Sequence, residues 1–138
     1  MLPNNSPARY SSSKQLIGGN DVNAMNDQLD SAQSVVATPA GTQATSVVIN
    51  AAAVLVSAVA SANDGVKLPQ GYAGLEIFIF NDDAANSLQV FGSGTDTIND
   101  IATATGIAQA SQKAAIYKCI IGPTAAVPAA RWFRNLSA

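Results

Sequence analysis

Few side chains in this 138-residue sequence could carry out chemistry, and histidine is absent. Histidine is the commonest general base and the commonest metal ligand, so most hydrolytic mechanisms are excluded. Ser11 and Lys14 have the S-x-x-K spacing of serine acyl-transfer enzymes, in which a lysine can activate the serine. That motif needs the start of a helix in a larger fold, whereas here it lies in a polar segment. We therefore expect no enzymatic activity.

Two regions resemble ligand-binding loops. Gly92-Ser93-Gly94-Thr95 is rich in glycine, but it lacks both the spacing of a phosphate-binding loop and a helix after it. Several oxygen-bearing side chains could gather at one end of the domain and bind a hard cation such as calcium: Asp82, Asp83, Asp96, Asn99 and Asp100. Their spacing matches no calcium loop, and Asp and Asn also form ordinary turns. We expect a strand connection, turns and no cofactor.

Cys119 and an aromatic pair near residue 132 are the remaining candidates. Cys119 is the only cysteine and lies in an apolar run, so we expect a buried thiol that no histidine activates. Trp132 and Phe133, with an arginine on either side, could form a flat platform for a sugar or a base. In a strand the two rings point to opposite faces. We therefore favour Trp132 as a core residue, with Arg131 and Arg134 at its rim or at a subunit boundary.

The elements that must position these residues are short β-strands. From about residue 34, β-branched runs alternate with Gly, Pro, Asn and Asp, as is typical of an all-β sandwich or barrel. The predicted strands are 33–38, 46–49, 53–60, 66–68, 74–81, 87–91, 113–121 and 130–136. Alanine-rich 51–60 could be a helix by composition, but Asn63-Asp64-Gly65 favours a strand that enters a hairpin. The run 75–80 is apolar on both faces apart from Glu76, which predicts a central strand with one face on the second sheet and the other open to a partner.

The beginning of the chain has a different composition, rich in Asn, Ser, Gly and Pro. Val22, Met25 and Leu29 follow the potential cap Asn20 at helical spacing and predict a short helix. A segment of this composition cannot bury enough apolar area to offset its ordering entropy, so we expect contacts with a partner to order it. We divide the chain into an extended N-terminal arm, residues 1–32, and a β domain, residues 33–138. The expected interface residues of the arm are its apolar and basic side chains: Leu2, Arg9, Tyr10, Lys14, Leu16, Ile17, Val22, Met25 and Leu29.

Charge and hydropathy limit the partners. The net charge is -2, so we expect no general attraction to a phosphate backbone and no nucleic-acid partner. No run of about eighteen apolar residues is present, and residues 1–10 lack the apolar centre of a signal peptide. We therefore expect a protein that is made in a cytoplasm and has no membrane partner.

Several strings resemble a recurrent β domain of tailed-bacteriophage structural proteins. They are Val66-Lys67-Leu68-Pro69, Gly74-Leu75-Glu76-Ile77, Asn81, Leu88-Gln89-Val90-Phe91, the stretch 94–99, Tyr117-Lys118-Cys119 and Arg131-Trp132, with 41–45 and 47–59 as opening strands. The resemblance covers about residues 38–137. Such domains occur in capsid decoration or cement proteins and in head or tail fibres, usually as homo-oligomers. The shared strings are structural signatures, and none carries a catalytic residue.

These observations lead to one expected architecture and two functions. We expect an antiparallel β-sandwich of jelly-roll type with an extended N-terminal arm. The resemblance and the short chain imply a decoration protein that binds the outer surface of the assembled phage head, bridges neighbouring capsomers and stabilises the shell. Its partners would be the major capsid protein and its own copies, as a homodimer or homotrimer, in the virion after synthesis in the host cytoplasm. The alternative is a head-fibre or tail adhesin that binds a host glycan or receptor.

Overall fold

The computed structural model describes residues 32–138, which form ten strands and no helix. The nine expected interface residues of the arm lie outside the described residues, as do Ser11 and the predicted short helix. The strands are β1 (Ala32–Val36), β2 (Val47–Val48), β3 (Ala53–Ala58), β4 (Asp64–Lys67), β5 (Glu76–Asn81), β6 (Leu88–Phe91), β7 (Thr97–Ile98), β8 (Ile107–Gln109), β9 (Ala114–Ile121) and β10 (Arg131–Leu136).

The strands form a six-stranded sheet, in the order β1-β3-β5-β9-β10-β7, and a four-stranded sheet, in the order β2-β4-β6-β8. From β1 to β6 the chain alternates between the two sheets. As a result β1, β3 and β5 are parallel neighbours in one sheet, and β2, β4 and β6 are parallel neighbours in the other. Residues 32–91 therefore wind through three successive coils, each of which adds one strand to each sheet.

The rest of the chain completes both sheets. β8 pairs antiparallel with β6, β9 pairs antiparallel with β5, and β10 pairs antiparallel with β9. The short strand β7 pairs parallel with β10 and forms one edge of the larger sheet, while β1 forms the other. Both sheets are therefore mixed.

The all-β fold with two sheets, compatible with a sandwich, is confirmed, whereas the predicted antiparallel pairing is corrected to mixed pairing. The jelly-roll connection of strands is not confirmed, because a jelly roll is built from antiparallel Greek keys and both sheets contain parallel pairs. The hairpin predicted at Asn63-Asp64-Gly65 is wrong, because β3 and β4 lie in different sheets. The Asp64 carboxylate instead accepts the backbone N–H groups of Ser61 and Ala40, which holds the crossing between the sheets.

The core is one apolar cluster made by alternate residues of the strands. In the large sheet, Val54 and Val56 of β3 and Ile77 and Ile79 of β5 are buried, and Trp132 of β10 is fully buried. The inward residues of the other strands belong to the same cluster, including Val66, Leu68, Leu88, Val90, Ala115, Tyr117 and Cys119. Each buried Val, Leu or Ile contributes about 1.5–3 kcal/mol relative to exposure. Because these residues point into the core, the residues that alternate with them along each strand point away from it.

Candidate functional site

The side of the six-stranded sheet that points away from the core is apolar at its centre, and we call it the outer face. Its central residues are Leu55 of β3, Phe78 and Phe80 of β5, and Ile116 of β9, with Ala32, Ala53 and Ala114 beside them. Leu55 is 39% exposed, Phe78 42% and Ile116 40%. A sheet with one face in water normally carries polar residues at these positions. The outer face is thus a surface suited to burial against another chain.

The strand register makes these side chains contiguous. Phe78 lies opposite Ala53 on one side and Ile116 on the other, and Phe80 lies opposite Leu55 and Ala114. Directly opposed residues have Cβ atoms about 4.5–5.5 Å apart. The apolar residues therefore form two rows that cross three adjacent strands.

Shallow depressions flank the Phe78 side chain. One begins at the edge strand and is lined by Ala32, Gln33, Ala53, Val54, Leu55, Phe78 and Phe80. Another lies on the far side and is lined by Phe78, Ala114, Ala115, Ile116, Asn135, Leu136 and Ser137. The ring of Phe78 thus forms a ridge between two apolar depressions, a shape that side chains of a partner can fill.

Charged residues form a border at one end of the outer face. Lys118 Nζ lies 3.8 Å from Glu76 Oε2, with both side chains about half exposed, so this ion pair contributes little to stability. Both residues line a third depression together with Ile116, Phe133, Arg134 and Asn135. An apolar centre with a polar border is the usual anatomy of a protein interface.

Arg131, at the start of β10, extends this border beyond Phe133. Its guanidinium group donates two hydrogen bonds to the Asp100 carboxylate, at 2.8 and 2.7 Å, and lies 5.5 Å from the centre of the Phe133 ring. These hydrogen bonds lower the pKa of Asp100 and raise that of Arg131. Phe133 is half-buried on the surface while Trp132 lies in the core, so the two rings do not share a platform.

The acidic residues predicted as a potential cation site do not come together. The Asp83 carboxylate accepts the backbone N–H groups of Ala85, Asn86 and Val59, which together hold its pKa below the usual value. Asp82 lies exposed beside it. In residues 32–138 no group of three or more Cys, Asp and Glu side chains is placed to hold a metal ion.

The other members of that set are used separately by the protein. Asp96 is buried and accepts three N–H groups, from Gly71, Ala130 and the indole of Trp132. Asn99 accepts the backbone N–H of Arg134, and Asp100 binds Arg131. The residue types that suggested a cation site are turn and loop anchors, because backbone N–H groups satisfy most of their oxygen atoms.

The glycine-rich stretch 92–95 is a strand connection, as predicted. The side-chain amide of Gln43 donates to the carbonyl oxygens of Gly92 and Gly94, at 2.8 and 2.7 Å. A phosphate-binding loop would instead present converging N–H groups. The side chain of Gln43 therefore connects its own loop to the loop between β6 and β7.

Cys119 is buried, as predicted from its apolar run. Burial is the main cause that raises the pKa of its thiol, and the nearby Asp96 carboxylate adds to it. Because the thiolate is the reactive form, this cysteine is a poor nucleophile in the folded protein.

The outer face was not identified as the site by sequence reasoning, although one signal pointed to it. The run 75–80 is apolar at outward positions as well as inward ones, which indicated a strand with a partner on its second face. The run could not show which residues of β3 and β9 would lie beside Phe78, because that depends on pairing between distant strands.

Within the described residues, no helix is long and apolar enough to cross a membrane. Comparisons with protein-family models, with curated proteins and with solved structures found no match to this chain.

Proposed function

We propose that this protein is a structural component of a bacteriophage virion, a capsid decoration or cement protein on the outer surface of the head. The observation that carries the proposal is the outer face, in which Leu55, Phe78 and Ile116 are each about two-fifths exposed. An apolar patch with a charged border favours a function in assembly. We infer the kind of assembly, a phage virion, from the resemblance of the strings in residues 38–137 to phage structural domains.

The energetics of the outer face favour binding in many copies. Burying the exposed part of Phe78, Ile116 or Leu55 contributes roughly 1 kcal/mol for each side chain. Association costs at least about 4 kcal/mol in lost translational and rotational freedom. A single outer face therefore binds weakly, whereas linked copies on a repeating shell gain avidity without new contacts.

The arm supplies further anchors in this proposal. Its expected interface residues would contact the major capsid protein and neighbouring copies of the chain. A protein that binds only the assembled shell stabilises it by mass action, by about 2.7 kcal/mol per site when its free concentration is one hundred times the Kd. Copies that bridge neighbouring capsomers would in this way resist the pressure of packaged DNA.

The second candidate function is a head-fibre or tail adhesin. Tyr72 is 45% exposed, and Phe133 with Arg131 forms a surface aromatic and cationic pair, which are features that bind glycans. Trp132, the strongest aromatic candidate, is unavailable because it is fully buried. We therefore place decoration first.

The experiment that tests the proposal is co-sedimentation of the purified protein with capsids that lack it. We expect saturable binding at hundreds of copies per shell. The variant Ile116→Lys places a charge at the centre of the outer face and should raise the apparent Kd at least about tenfold, which corresponds to about 1.4 kcal/mol.

Val48→Lys is the matched control, because Val48 is 39% exposed on the four-stranded sheet. It should bind like the unmodified protein, and circular dichroism should show that both variants remain folded. An absence of binding, or only a few copies at a vertex, would contradict decoration and favour the adhesin.

A further inference from the structure

We propose that the outer face packs against the outer face of a second copy, in a dimer whose two-fold axis runs along the strands between β5 and β9. The inference deepens the proposed function and rests on it in one respect, namely that a decoration protein acts through linked copies. It names the occupant of the apolar patch and the orientation in which the two faces meet.

The register of β5 and β9 gives the outer face a self-complementary pattern. The outward residues of the two strands are opposed in three rows, which are Glu76 with Lys118, Phe78 with Ile116, and Phe80 with Ala114. One row joins opposite charges, and the other two join an aromatic ring to a smaller side chain. A two-fold axis between the strands places β5 of one copy over β9 of the other, so every residue meets its row partner across the interface.

The charged border pairs with a copy of itself in this orientation. Within one copy, Lys118 Nζ already lies 3.8 Å from Glu76 Oε2, and both side chains are about half exposed. In the dimer each Glu76 also faces Lys118 of the second copy, which makes a ring of four alternating charges. A network of several charges contributes more than an isolated exposed pair. A border without net charge therefore suits an identical border better than an acidic or a basic partner.

The apolar rows also fit each other by size. Phe80 meets Ala114 of the second copy. Leu55, the next residue of that row, meets Ser137 of the second copy. Ala114 and Ser137 line the depression on the far side of Phe78, so two large side chains enter a space between small ones. The axis makes this contact occur twice.

Other orientations of the axis lose these contacts. An axis that crosses the strands at the level of Phe78 carries Glu76 over Phe80. On β9 the same axis carries Lys118 over Ala114, so both charges lose water without gaining a partner. An axis along β5 itself brings two Glu76 carboxylates together. The axis between β5 and β9 also keeps the strands of the two faces nearly aligned, as in other face-to-face sheet packings.

The size of the outer face limits the strength of the dimer. The strands β1, β3, β5, β9 and β10 span roughly 24 Å across, and the three rows extend over roughly 20 Å. Contact between two such faces buries about 1,000 Å² in total, which is near the lower limit for a specific interface. We therefore expect a dimer that dissociates on dilution and that a shell, by holding copies close together, favours.

The dimer agrees with the proposed bridging of capsomers. The two four-stranded sheets lie on its outer sides, so each dimer presents two identical sets of surfaces to a shell. Loss of the dimer removes one of two linked attachments. Ile116→Lys should therefore weaken shell binding through lost avidity.

Sedimentation velocity of the full chain tests the proposal without a capsid. The mass should rise from that of one chain to that of two between about 5 and about 500 µM, because interfaces of this size are weak. Glu76→Lys and Lys118→Glu each bring four like charges together at the axis, so each should raise the dimer Kd at least about tenfold. Lys67→Glu is the matched control, because it makes the same change of charge as Lys118→Glu on the four-stranded sheet.

Mixing the two variants gives a sharper test. One variant has only basic and the other only acidic side chains at the border, so opposite charges meet in a mixed dimer. The mixed dimer should have a Kd at least about tenfold lower than that of either variant alone. The double variant Glu76→Lys/Lys118→Glu should dimerise like the unmodified protein but should not pair with it, since like charges would then meet.

Four results would overturn the proposal. They are a single-chain mass at every concentration, a trimer, a dimer that is indifferent to both charge reversals, and two weakened variants that the mixture does not restore. A mixed dimer of the double variant with the unmodified protein would overturn the orientation of the axis. Dimerisation as expected together with a failure to bind capsids would refute the decoration function alone.

Discussion

Asp96 shows how single residues hold this domain together. One carboxylate oxygen accepts the N–H of Ala130 at 2.8 Å, and the other accepts the N–H of Gly71 at 2.9 Å and the indole N–H of Trp132 at 3.3 Å. The packing here is close, since a Cβ on Gly71 would lie 2.6 Å from the Cβ of Ala130. Asp96 thus joins two loops to the side chain that fills the core.

We predict that Asp96→Ala strongly destabilises the fold. The substitution leaves three buried donors without a partner, at a total cost of roughly 3–5 kcal/mol. Urea denaturation followed by tryptophan fluorescence measures the loss. The control is Asp82→Ala. Asp82 is an exposed acidic residue, so this substitution should change stability by less than about 0.5 kcal/mol. Equal effects would show that the three hydrogen bonds contribute little.

At the scale of elements, the strands were predictable and their pairing was not. The strong runs 74–81 and 113–121 correspond to β5 and β9, because long apolar alternation is a local property. The strands β7 and β8 were missed because two or three residues carry too little pattern. Alternation is the same in parallel and antiparallel strands, so it could not reveal that successive strands enter different sheets.

The connection between β5 and β6 is anchored by the carboxylate of Asp83. Asp83 accepts N–H groups from Ala85, Asn86 and Val59, so its pKa is lower in the folded chain than the ordinary value of 3.8. A depressed carboxyl pKa stabilises the fold above the unfolded value, and this contribution is lost as the pH falls through the folded value. The turn should therefore weaken in acid.

We predict that Asp83→Asn reduces stability at about pH 6 and has a smaller effect at about pH 3. At the lower pH the unfolded chain becomes protonated at this position, so the ionised carboxylate stabilises the fold less and the two proteins become more alike. Urea midpoints of both proteins at the two pH values provide the measurement. The same substitution at Asp82 serves as the control. A difference in stability that does not depend on pH would contradict a stabilising role for the ionised Asp83 carboxylate.

At the scale of the whole molecule, Cys119 reports on global opening. It lies in the core between β5 and β10, with its thiol pKa raised mainly by burial. Its thiol should react with a disulfide reagent at about pH 8 at least about one hundred times more slowly than Val48→Cys, which is exposed. The rate should rise with urea in parallel with unfolding. Rapid labelling of the native protein would mean that the core opens locally.

The candidate site was only partly predictable at this scale. The sequence indicated from the run 75–80 that one strand had a second apolar face. The extent of the outer face could not be predicted, because it depends on Leu55, Phe78 and Ile116 becoming neighbours across residues distant in the chain. The acidic residues were misleading for a related reason: their composition suits cation binding, but the donors that satisfy them come from loop geometry.

The alternation of the chain between two sheets has a consequence for folding kinetics. No strand from β1 to β6 pairs with its neighbour in sequence, so each contact must close a long loop: Ala32 pairs with Ala53, and Asp64 pairs with Leu88. In proteins dominated by such distant contacts, the entropy of loop closure is lost before the strands gain any stabilising contact. Such proteins fold in milliseconds to seconds. Refolding should therefore be slow for a domain of this size.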